Sequence, residues 1–108
     1  MLKPKDIKKI PLFERMSDDI LKELIQGMVI KNFKKGEVLF YKGDVGDALY
    51  IVHSGKIKMS IPTEEGEELI VSIFSDGDFF GELSLLDGSP RSADAVALED
   101  TILLNLIS

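Results

Sequence analysis

A chain of 108 residues, 44% hydrophobic and 30% charged, has the size of one domain with its own core. It has no cysteine, which excludes disulfides, thiolate zinc sites and cysteine nucleophiles, and its one histidine leaves little for a His-rich metal centre. A formal net charge of −6 speaks against a nucleic-acid-binding segment, because that affinity comes largely from Lys and Arg neutralising phosphates. The basic start, MLKPKDIKKIPLF, lacks the long apolar run of a secretory signal, and no stretch approaches a membrane span. A cytoplasmic location is the expectation.

Residues 4–28 read as helical. Pro4 suits a first turn, Ile7 and Ile10 lie three apart, and Pro11 breaks the run ahead of an apolar plug, Leu12-Phe13. Ser17 is a good N-cap, with Asp18 and Asp19 well placed in the first turn that follows. Ile20, Leu21, Leu24, Ile25 and Met28 repeat at helical spacing, which predicts one buried stripe.

From Val29 onward the pattern is one of short strands separated by glycine turns. The predicted strands are Val29–Phe33, Val38–Tyr41, Ala48–Val52, Lys56–Ile61, Glu68–Phe74, Ala93–Ala97 and Thr101–Leu106. Gly55, Gly66 and Gly77 recur every eleven residues, and Lys56–Ile61 alternates strictly, so Ile57, Met59 and Ile61 share a face. Helices followed by many short antiparallel strands predict an α+β, mainly β fold: a jelly-roll (double-stranded β-helix) sandwich with N-terminal helices. The basic residues Lys31, Lys34, Lys35 and Lys42 read as a solvated face.

The run from Phe79 to Ala97, FFGELSLLDGSPRSADAVA, carries the chemistry. Gly81 permits positive φ and close backbone approach. Glu82 to Leu86 would open a short helical turn whose first free amides, at Leu83 and Ser84, favour an anion. Nine residues after Glu82, Arg91 offers a planar fork of donors for a phosphate, and Ser92 adds a hydroxyl. An ionised Glu82 only accepts hydrogen bonds, which suits a ribose hydroxyl. The competing readings are a plain surface ion pair between Glu82 and Arg91, about 0–1 kcal/mol, and an ordinary turn at Asp87-Gly88-Ser89-Pro90.

This stretch resembles the phosphate-binding cassette of cyclic nucleotide-binding domains of the catabolite-activator (CRP/FNR-like) family. The resemblance extends over the whole chain through Phe33–Glu37, Gly43–Val52, Ser54–Ile57 and Asp76–Glu82. It implies that residues 1–108 form one such domain. It implies a cAMP ligand, with cGMP as the alternative, held by Gly81, Glu82, Leu83, Ser84, Arg91 and Ser92. Val71, Ser72, Phe74 and Phe79 fall where pocket walls lie, though they could equally be core.

Asp94 stands where relatives often carry an uncharged residue, and alternation with Ala93 and Ala95 predicts that it faces solvent. The resemblance also implies a C-terminal helix and an output domain beyond this segment and dimerisation through that helix, while the charge and the lack of a long apolar stretch predict no direct contact of this segment with nucleic acid or membrane. The implied role is a sensing domain of a bacterial transcription regulator or signalling protein, without catalysis and without a cofactor. The rivals are a degenerate sensor acting through protein contacts and a cupin-like metal enzyme. The second would lean on His53, expected beside the Ser54-Gly55 turn.

Overall fold

The computed structural model describes residues 2–46, 48–81 and 89–107. Two short helices, α1 (Pro4–Ile7) and α2 (Asp18–Gln26), flank a 3-10 turn at Pro11–Phe13. Pro4 starts α1 as expected, since its missing N–H would have had no helical partner. Ser17 caps α2, its hydroxyl accepting the Ile20 N–H at 3.4 Å. The predicted stripe is narrower than its spacing suggests. Leu21 is buried and Leu24, Ile25 and Met28 are half-buried, but Ile20 is 52% exposed. Of the Leu12-Phe13 plug, only Phe13 enters the core.

Eight strands follow among the described residues: β1 (Met28–Phe33), β2 (Val38–Phe40), β3 (Ala48–Ser54), β4 (Lys56–Pro62), β5 (Glu68–Ser75), β6 (Phe79–Phe80), β7 (Asp94–Ala97) and β8 (Thr101–Ile107). They form two four-stranded antiparallel sheets, ordered β1-β8-β3-β6 and β2-β7-β4-β5. Apart from the β4–β5 hairpin, successive strands alternate between the sheets, the wrapping of a jelly roll. Two-residue β6 was not anticipated; a pair of phenylalanines before a glycine carries no period.

The pleat divides the core in two. On β3, Val52 points between the sheets and Ile51 points out toward the helices; on β8, Leu103 and Leu104 divide likewise. The inner cluster joins Val52 and Leu103 to Phe40, Ile57, Phe80, Ala95 and Ala97. The outer cluster joins Ile51 and Leu104 to Ile7, Ile10, Phe13 and Leu21. Strands buried on both faces read as continuous apolar runs, which is why β3 and β8 show little alternation in sequence.

Lys58 and Glu68 tie β4 to β5 at 2.8 Å. The Lys58 hydrogen bond holds the Glu68 carboxyl below its ordinary range. Whatever this exposed pair adds is therefore present at neutral pH and fades as acid protonates Glu68.

Gly55, between β3 and β4, is buried with φ 115, and a Cβ there would meet the Thr101 side chain and lie 2.7 Å from its Cα. Thr101 cannot retreat, because its hydroxyl donates to Glu99 O at 2.8 Å. Gly55→Ala should therefore cost about 2–3 kcal/mol or more. Urea denaturation checks this; an unchanged midpoint would show that the turn relaxes freely.

Candidate functional site

Arg91 lies between the two sheets and is only 5% exposed. Its backbone is clamped by the turn after β2: Arg91 N–H donates to Asp44 O at 2.8 Å, and Gly43 N–H donates to Arg91 O at 2.7 Å. That turn is itself closed by Asp44, whose carboxylate accepts the Tyr41 N–H at 2.8 Å. Two hydrogen bonds to one residue's backbone fix where its side chain begins.

The guanidinium is held on three sides. Nη2 donates to Ala48 O at 3.0 Å. Its central carbon lies 4.5 Å from the Phe40 ring centroid and 5.3 Å from that of Tyr50, within cation–π range. The two rings belong to an aromatic row: Phe40 to Tyr50 is 5.8 Å, Tyr50 stacks on Phe80 at 5.3 Å, and Phe80 stacks on Phe74 at 5.0 Å. These contacts offset part of the several kcal/mol that enclosing a cation costs.

They do not satisfy it. Nη1 is buried and has no hydrogen-bond partner among the described residues. The ion pairs found there are Lys8–Asp18 and Lys58–Glu68, so no described carboxylate neutralises Arg91. A fixed guanidinium with an unused donor can take an anion, and does so best through oxygen acceptors in its plane.

Gly81 makes that placement sterically feasible. It follows β6 with φ 90, and a Cβ on it would fall 2.6 Å from Nη1 and 2.8 Å from Ala48 O. The glycine expected to admit a close ligand thus also makes room for the arginine.

Of the other expected site residues, Glu82, Leu83 and Ser84 lie outside the described residues. Ser92 is exposed beside Arg91. Val71 is half exposed on β5, at a bulge between the pairs Met59–Ser72 and Ser60–Ile70. Ser72 and Phe74 are half-buried, and Phe74 belongs to the aromatic row. Phe79 pairs with Ile51 on the outer face of its sheet and is 40% exposed, whereas its neighbour Phe80 points inward.

Sequence reasoning missed Phe40, Tyr50, Phe80 and the Ala48 carbonyl. The available signal was the alternation Ala48-Leu49-Tyr50, which puts Ala48 and Tyr50 on one face. His53 lies on β3 with an exposed side chain. Among the described residues no cluster of three or more His, Cys, Asp or Glu could hold a metal ion.

Residues 30–106 match the family profile described as the cyclic nucleotide-binding domain. The chain belongs to that family. It is 39% identical over 100 residues to the cyclic AMP receptor protein of Thermus thermophilus, a match covering 93% of this chain and 46% of that protein. Among solved structures it resembles the N-terminal domain of a transcriptional regulator from Streptomyces coelicolor (TM-score 0.84, 35% identity, 94% of this chain and 73% of that one). It also resembles the regulatory domain of Toxoplasma gondii PKA co-crystallised with cAMP (TM-score 0.82, 33% identity, 96% and 40%). The chain spans about half the length of the receptor protein. Arg91 and Gly81 thus lie together in a cyclic nucleotide-binding fold.

Gly81→Ala should push the guanidinium off its site and lower stability by about 1–3 kcal/mol. Chemical denaturation of the ligand-free protein measures it. A midpoint equal to wild type would mean that Arg91 and Ala48 give way without cost.

Proposed function

We propose that this chain is a cAMP-sensing regulatory domain in which Arg91 holds the cyclic phosphate. The observation that carries the reading is the buried Nη1 of Arg91, fixed by Ala48 O, Phe40 and Tyr50 and lacking a described acceptor. A cyclic phosphodiester carries one negative charge, which one guanidinium matches. Glu82 supplies the acceptor for the ribose 2′-hydroxyl, the Leu83 and Ser84 amides and the Ser92 hydroxyl donate to the phosphate, and Gly81 lets the ligand approach. Ser72 and Phe74, half-buried on β5, wall the base side.

The ligand is bound and released unchanged, so the chain acts as a sensor and not as an enzyme. A charge of −6 leaves direct contact with DNA to other parts of a regulator. A ligand shifts a conformational equilibrium only by its differential affinity for two states, and the second state involves segments beyond the sandwich.

Calorimetric titration with cAMP and cGMP tests the reading. Arg91→Lys keeps the charge but loses the planar fork, and should cost about 1–3 kcal/mol of binding. A 2′-deoxy cyclic nucleotide should bind poorly, since Glu82 loses its donor. With the base held mainly by two side chains of one sheet, cAMP and cGMP should fall within about tenfold of each other. Equal affinity of wild type and Arg91→Lys for cAMP would overturn the assignment of Arg91.

A further inference from the structure

Asp94, the first residue of β7, is half-buried and faces opposite to buried Ala93 and Ala95, as alternation predicts. Its carboxylate does not simply meet water. Oδ1 accepts the Lys42 N–H at 2.7 Å, across 52 residues of sequence. Lys42 precedes Gly43 and Asp44, the two residues that clamp the Arg91 backbone at 2.7 and 2.8 Å. The chain therefore closes a ring: Asp94 to Lys42, along the turn to Gly43 and Asp44, across to Arg91, and back along Ser92-Ala93.

We propose that Asp94 is a positioning residue for Arg91: its carboxylate staples the Tyr41–Asp44 turn to β7 so that the turn holds the arginine backbone in register. This rests on the reading of Arg91 as the phosphate-binding residue. The turn needs the staple. It leaves the sheet at Tyr41, Gly43 has φ 92, and Tyr41, Lys42, Gly43 and Asp44 are all exposed. Packing contributes little there, and hydrogen bonds fix its position. A guanidinium fixed at one end by backbone and at the other by Ala48 O is pre-organised, which removes an ordering cost from anion binding.

Charge and staple predict opposite signs. Simple Coulomb repulsion says that removing the Asp94 charge strengthens binding of an anion. The staple says that removing the acceptor weakens it. Asp94→Ala removes both charge and acceptor, whereas Asp94→Asn removes the charge and keeps a carbonyl oxygen for the Lys42 N–H.

Two measurements on the 108-residue chain decide the matter. In cAMP titrations, Asp94→Ala should bind about five- to tenfold more weakly than wild type, the worth of roughly one hydrogen bond, and Asp94→Asn within about twofold. In amide hydrogen exchange without ligand, Asp94→Ala should speed exchange at the Gly43 and Arg91 amides, neither of which Asp94 touches, by about tenfold over any change at Val52 and Leu103. Asp94→Asn should protect both amides as wild type does. Asp94→Ala binding as tightly as wild type or more tightly, Asp94→Asn failing as badly as alanine, or exchange rising equally throughout the core would each overturn the proposal. Should wild type bind no cyclic nucleotide, the ligand reading fails, and the exchange experiment alone decides the staple.

Discussion

One enclosed guanidinium organises this domain. Burying the charge of Arg91 at 5% exposure is costly, and its surroundings answer that cost piece by piece: a carbonyl from β3, two aromatic faces, and a backbone clamped on both its N–H and its C=O. No described carboxylate neutralises it. A domain built only for stability would do better with a well-packed apolar side chain at such a position. Retaining the arginine is intelligible as a concession to binding.

The sandwich provides what that concession requires. β3 and β8 are buried on both faces, so the sheet beneath Arg91 is pinned from outside by the helices and from inside by the opposite sheet. Ala48 O and Tyr50 belong to β3, Phe80 and Gly81 to β6 and its exit, and Phe40 to β2 of the other sheet. Arg91 thus touches both layers, and both must be in register for its three contacts to form. This ties the site to the rest of the fold: a shift of the sheets alters the guanidinium's contacts.

Much of this was legible in the sequence, for definite reasons. Gly81 and Arg91 are close in the chain and belong to residue types with few alternative uses at that spacing, and the glycine turns marked the strands because positive φ leaves little choice. Ser17 marked α2 because a cap acts locally. What was illegible depends on partners far away in sequence. Ile20 fits the helical period but stays exposed on α2. Phe79 and Phe80 are identical residue types, and only pairing with Ile51 and Tyr50 tells outer from inner. Val71 sits at a bulge, which breaks the alternation a sequence reading relies on. Phe40 and Tyr50 are ordinary core aromatics until Arg91 comes to rest on them, and Asp94 looked like a solvated carboxylate until the structure brought the Lys42 amide to it.

The central claim is that the unused donor of Arg91 is where the ligand's phosphate binds. Nuclear magnetic resonance of the arginine side-chain N–H groups during a cAMP titration tests it most directly. The account predicts that the Arg91 guanidinium signals shift on saturation and show coupling through a hydrogen bond to the ligand's phosphorus, while the Arg15 signals stay still. Saturable binding that leaves the Arg91 signals in place, with no coupling to phosphorus, would contradict it.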